Sequence, residues 1–323
     1  VYELEASNNT QILYFQTKST APTAFKIDVV LGDSTDSITF NDFSIKEVVD
    51  GDWQVAGDIR ARDISFDGAN GIGKINAGIV SGIFYDAIPV ADAKIIVGMR
   101  SYTGTEADFS DNGLNGTYTG TTINGLGVYG ITNMMQFVRV DSVAVSFPDD
   151  ADLSFVDSPG GTDGFSIMAW VNNPGLATAE NVIASKFTPG SANKEYQFGI
   201  NSSEKLYVWL YDSDGDNCEM ITNSAVSTGV HFVSFTYTGN STNKCSDVTI
   251  YVDGVAAAGT ATNGAYGTMS NTTSIFTIGS KGDTGDNFGG FIGNVAVAKN
   301  TAGSISATVM KNIYRRTRSY YGQ

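Results

Sequence analysis

Histidine and proline are nearly missing from this chain of 323 residues, which carries one of the first, His231, and six of the second. A single imidazole excludes zinc sites built on several histidines and leaves room for at most one Ser-His-Asp arrangement. His231 stands beside Phe232 inside a strand-like run and reads as structural. Basic residues are also scarce, 19 against 34 acidic, for a net charge of −15 and a pI near 4.3. Such a surface repels a phosphate backbone, so no nucleic-acid partner is expected. The one basic cluster, Arg315, Arg316 and Arg318 beside Tyr314, Tyr320 and Tyr321, is read as docking on an acidic neighbouring subunit, with an anion site as the alternative. No stretch approaches the roughly 18 apolar residues of a membrane span, and the N-terminus has neither the basic nor the apolar region of a signal peptide. Membrane insertion is therefore not expected. The chain opens on Val1 without an initiator Met, as a processed product or a fragment would. There are two cysteines, Cys218 and Cys245, 27 positions apart. A disulfide closing that loop would contribute about 3.5 kcal/mol on a chain-entropy basis, and two free thiols are the alternative.

What is present is apolar enough to fold: 41% hydrophobic and 11% aromatic residues, with only 16% charged and 37 glycines. Thr, Ser, Asn and Asp fill the gaps between short apolar runs, and helix formers are few, the profile of a turn-rich all-β chain. Alternating runs at 11–17, 25–31 and 37–48 predict three strands, half a sandwich, in a first domain over 1–50. Residues 51–93 hold apolar islands broken by Gly71, Gly73, Gly78 and Gly82, and read as a β-rich connector. From 94 to 323 the runs lengthen: 165–171, 181–187, 195–200, 205–211, 231–238, 248–253, 274–279 and 291–297 predict strands of two packed antiparallel sheets. Only 305–314 looks helical, placed to close one edge.

Five separated motifs carry a resemblance. They are Asp108-Phe109-Ser110-Asp111-Asn112-Gly113-Leu114-Asn115-Gly116-Thr117; Asp149-Asp150-Ala151-Asp152-Leu153-Ser154-Phe155 followed by Gly164-Phe165-Ser166-Ile167-Met168-Ala169-Trp170-Val171; Gly229-Val230-His231-Phe232-Val233-Ser234-Phe235-Thr236-Tyr237; Ile250-Tyr251-Val252-Asp253-Gly254; and Phe276-Thr277-Ile278-Gly279-Ser280. In this order and spacing the stretch resembles the laminin-G-like, concanavalin A-like lectin/glucanase jelly roll. Residues 137–143 lack the Gly and one Asp of that family's pattern. The segment 38–48 resembles the closing strand of carbohydrate-binding jelly-roll modules. The resemblance implies a concanavalin-like antiparallel β-sandwich preceded by a partial jelly roll. It further implies a virion-surface protein, a bacteriophage tail fibre or capsid decoration protein. The expected partners are other virion proteins, further copies of itself as a homo-oligomer, and host cell-surface glycans, and the expected location is the virion surface or the extracellular space. A secreted bacterial adhesion module is the second reading and a glycan-degrading enzyme the third.

The residues themselves offer two binding candidates. Strand alternation in Leu206-Tyr207-Val208-Trp209-Leu210-Tyr211 puts Tyr207, Trp209 and Tyr211 on one face, a platform for sugar rings that Tyr251 could join. The alternative is that both faces are covered and these aromatics pack. The oxygen-rich turns holding Asp212, Asp214 and Asp216, and Asp283 and Asp286, have the chemistry of calcium ligands. Gly215 and the missing Glu depart from an EF-hand, and plain turns are the alternative. No acid/base pair is evident: the nearest string, Glu106-Ala107-Asp108-Phe109-Ser110-Asp111, lies in the opening turn, so the chain is read as a non-enzyme.

Overall fold

The computed structural model describes residues 81–99, 104–120, 134–156, 164–175, 180–239, 244–269, 271–282, 286–300 and 305–323. The chain divides into two units, 1–65 and 66–323, and every described residue belongs to the second. The strands expected at 11–17, 25–31 and 37–48, the jelly-roll reading of 1–50 and the connector up to residue 80 lie outside the described residues.

The described residues form two antiparallel sheets. One runs β1 (Ala93–Val97), β16 (Gly290–Lys299), β6 (Phe165–Asn173), β11 (Gly229–Tyr237), β12 (Val248–Val252) and β13 (Val255–Ala256), with β4 (Met135–Phe137) also on β16. The other runs β14 (Gly259–Thr262), β10 (Asn217–Thr222), β9 (Leu206–Tyr211), β8 (Lys194–Ile200), β7 (Asn181–Phe187), β15 (Phe276–Ile278), β5 (Ala144–Phe147), β3 (Gly116–Thr119) and β2 (Thr105–Glu106). This is the expected sandwich.

Alternation along the strands builds its core. In β6, Phe165, Ile167, Ala169 and Val171 join the cluster between the sheets, with Phe198 and Leu210 from the facing layer. Phe165 stacks on Phe155 with ring centroids 4.4 Å apart and meets Phe235 edge-on at 5.2 Å. The intervening β6 residues Met168 and Trp170 point outward into a second apolar cluster. That cluster is closed by helices. Residues 81–87, read as part of a β-rich connector, are helical (α1), and Phe84 and Ile88, one turn apart, are both buried. A lone helical glycine such as Gly82 costs about 1 kcal/mol, and burial of Phe84 alone outweighs it.

At the other end, Ser306 caps α2 (Ala307–Thr317), accepting from Val309 N–H, and Met310, Ile313 and Thr317 turn inward. The following 3₁₀ turn, Arg318–Tyr321, lays Tyr321 on Trp170 at 4.3 Å. Tyr321 is therefore core rather than part of a docking surface, its hydroxyl donating to Asn294 Oδ1 at 2.6 Å. Arg316 pairs with Asp86 of α1 at 3.4 Å, both exposed. Cys218 on β10 and Cys245 in the 3₁₀ turn Lys244–Asp247 ahead of β12 are joined as a disulfide, linking one sheet to the approach of the other.

Candidate functional site

The outward face of β8, β9 and β10 collects the polar and aromatic side chains that the sandwich core leaves out. Leu206, Val208 and Leu210 face the core, so Tyr207, Trp209 and Tyr211 face away from it, with Gln197 opposite Trp209 on β8 and Glu219 opposite it on β10. The Tyr207 ring lies across its partner Gly199, where a Cβ would sit 2.8 Å from the Tyr207 hydroxyl and 2.6 Å from the Asn181 carbonyl. Glycine at 199 thus makes room for the ring.

Only part of this face is open. Tyr207 and Tyr211 are buried, whereas Trp209 and Glu219 are half-buried, with Trp209 Nε1 donating to Glu219 Oε2 at 3.2 Å. Lys281 Nζ lies 5.6 Å from the Trp209 ring and 5.0 Å from the Phe187 ring, and Lys194 Nζ lies 5.7 Å from the Tyr211 ring. Glu180 completes the group: Gln197 Nε2 donates to its Oε2 at 3.3 Å, and Lys281 pairs with it at 3.9 Å and with Asp286 at 3.5 Å. Gln197 also bonds the Tyr207 hydroxyl, while its buried Oε1 has no hydrogen-bond partner among the described residues. The result is one half-open indole beside the half-buried carboxylates of Glu219 and Glu180 and the Lys281 ammonium, over a buried amide, chemistry suited to a neutral, hydroxyl-rich ligand. The motif reading found the aromatics but missed Glu180, Gln197 and Lys281, which come from three separate segments.

Burial pushes the Glu180 carboxyl above its ordinary value of 4.5; Lys281 opposes that shift and Asp286 reinforces it. A raised value in the folded chain means that the group's contribution is fully present below 4.5 and is lost as pH climbs through the folded value. Glu180→Gln removes that loss. The variant is expected to melt higher than the parent above that range and alongside it at lower pH, as a thermal-melting series in pH would record. The reverse order would make the Lys281 pairing the dominant effect.

Residues 145–303 match the family model described as the concanavalin A-like lectin/glucanases superfamily, Laminin_G_3. This segment is a laminin-G-like domain. Among solved structures the chain is similar to the botulinum neurotoxin serotype G binding domain, at 14% identity and TM-score 0.51 over 71% of this chain and 52% of that one. It is also similar to the binding domain of Paraclostridial Mosquitocidal Protein 1, at 12% identity and TM-score 0.48 over 72% and 56% of the two chains. The chain thus spans about half the length of these structures, and at 14% identity the likeness to the serotype G domain shows the fold alone. No curated protein matches the sequence.

Within the laminin-G-like domain the remaining sequence candidates fall as follows. Tyr251 does not join the aromatic face: β12 belongs to the other sheet, and Tyr251 is buried in the second cluster with Trp170 and Met310. The Asp212 turn is a hairpin anchored by Asp212, with Asp214 and Asp216 exposed. Asp212 Oδ1 accepts the N–H groups of Asp214 at 3.1 Å and Asp216 at 3.0 Å, and its Oδ2 that of Gly267 at 2.8 Å, so its carboxylate is committed to holding a hairpin. Asp283 lies outside the described residues, Asp286 faces Lys281, and among the described residues no three His, Cys, Asp or Glu side chains are grouped as metal ligands. The string from Glu106 to Asp111 is structural. Asp108 accepts from the backbone of Ile96, Ser110 and Leu114, and Glu106 from Gly98 N–H and the Tyr118 hydroxyl, which fixes the opening turn against β1.

Proposed function

We propose that the laminin-G-like domain is a glycan-binding module of a virion-surface or otherwise extracellular protein, and that Trp209 is the ring on which a sugar stacks. The observation that carries this is the half-open Trp209 flanked by the half-buried carboxylates of Glu219 and Glu180. An aromatic face offers dispersion contact to sugar C–H groups, and planar acceptors take hydroxyl protons. Tyr207 and Tyr211 serve as walls that hold the indole in place. The virion assignment rests on the motif resemblance of the sequence alone, by association. The Cys218–Cys245 bond suits a protein outside the reducing cytosol, and a fold shared with a domain named for binding suits a binder.

A glycan array probed with the full chain, in calcium and again in EDTA, tests the reading. Binding is expected, and Trp209→Ala is expected to abolish it with an unchanged thermal midpoint. A Trp209→Ala variant that still binds, or one that loses about 3–5 kcal/mol of stability as a core aromatic would, assigns Trp209 to packing and overturns the site.

A further inference from the structure

At the rim of the sandwich, away from Trp209, the lone histidine meets two side chains that sequence reading did not connect with it. His231 Nδ1 lies 2.9 Å from Asp253 Oδ2, and His231 Nε2 lies 3.0 Å from Ser227 Oγ. Asp253 and Gly254, both at positive φ, form the two-residue turn between β12 and β13. That turn is tied to β11 from both sides: Asp253 N–H donates to the Phe232 carbonyl at 2.7 Å, and Phe232 N–H donates to Asp253 Oδ1 at 2.9 Å. The carboxylate therefore stands beside the imidazole with one oxygen already fixed. Facing a carboxylate, Nδ1 carries the ring proton, which leaves the Nε2 lone pair to accept from the Ser227 hydroxyl. On the far side, Asn173 Nδ2 donates to the carbonyls of Val226 and Ser227, holding the loop that presents the serine. The three side chains open on a cavity of about 410 Å³, lined also by Val226, Val252 and Ala257. Ser227 is exposed, while the His231 side chain is only 14% exposed.

We propose that Ser227, His231 and Asp253 form a nucleophilic site for short-chain carboxylic esters. Ser227 Oγ attacks the ester carbonyl carbon, its proton passing to His231 Nε2. The carbon–oxygen bond to the leaving alcohol then breaks, and that oxygen takes the proton from Nε2. Water, deprotonated by the same nitrogen, hydrolyses the acyl-serine to release the acid and restore the Ser227 hydroxyl. Asp253 holds the imidazole in the competent tautomer, and Val226, Val252 and Ala257 offer a small acyl chain an apolar wall. The turn accounts for Asp253; the Ser227–His231 bond adds an exposed hydroxyl aligned on the imidazole at the cavity mouth.

The experiment is to treat the folded chain with an alkyl fluorophosphonate, which loses fluoride as the serine oxygen bonds to phosphorus, and to locate the adduct by peptide mass spectrometry. An adduct on Ser227 is expected in the folded chain and not in the heat-unfolded one. Its formation should slow about a hundredfold in His231→Asn and also in Asp253→Asn, where asparagine keeps the positive φ and an acceptor for Phe232 N–H. Circular dichroism melting establishes that each variant is folded. The absence of a Ser227 adduct in the folded chain, or equal rates in the folded and unfolded chains or in a folded variant, would overturn the proposal.

Discussion

Replacing Trp170 with alanine is expected to lower the unfolding free energy by about 3–5 kcal/mol, measured by denaturant titration. Trp170 has no exposed surface, stacks on Tyr321 at 4.3 Å, leans on Phe232 at 5.5 Å, and donates from Nε1 to Thr317 Oγ1 at 3.0 Å. Two of those partners belong to the C-terminal α2 and its 3₁₀ extension. Truncation therefore does more than leave a void beside β6: it removes the surface on which the C-terminus is seated. Loss of helical ellipticity should accompany the loss of stability. A change below about 1 kcal/mol would mean that the second apolar cluster does not hold the terminus.

A comparable effect is expected from Lys186→Met. Lys186 is fully buried, with Nζ 2.6 Å from Glu195 Oε1, 2.8 Å from Asp149 Oδ1 and 3.2 Å from the Thr272 carbonyl. Burial already pushes the Glu195 carboxyl up, and Lys186 is the largest of the effects that hold it down. Removing the cation strands a buried carboxylate, so a loss of about 3–5 kcal/mol at neutral pH is expected. Glu195→Gln on top of Lys186→Met should recover part of it, because the stranded charge is then gone. A double-mutant cycle by chemical denaturation reads both numbers, and a strictly additive cycle would sink the idea that the two side chains act as a unit.

Periodicity made the strands legible. Phe165, Ile167, Ala169 and Val171 at every second position announce a buried strand face, and the structure places that strand at Phe165–Asn173. The helix expected at 305–314 lies at Ala307–Thr317, displaced because its cap, Ser306, sits one residue inside the apolar run. What alternation cannot carry is which sheet a strand joins: Tyr251 has the right residue type and the wrong layer. Strand β10 is masked in the sequence because Ile221 shares the outward positions with Asn217 and Glu219, which blurs its alternation. The helix at 81–87 was hidden by Gly82, whose local preference the burial of Phe84 overrides. Glu180 and Ser227 were invisible for a different reason. A lone carboxylate or hydroxyl in a connecting loop acquires meaning only from what folds against it, Gln197 and Lys281 in one case and His231 in the other.

The Cys218–Cys245 bond makes a covalent ring of the chain between the two cysteines, and Ser227 and His231 are both carried on that ring while Asp253 lies beyond it. A single proteolytic cut within the ring would open it without releasing a fragment, so a nicked molecule would run as one piece until reduced. Nucleophile and base would remain linked to each other and to both halves of the domain, even after the loop between the strands had been severed.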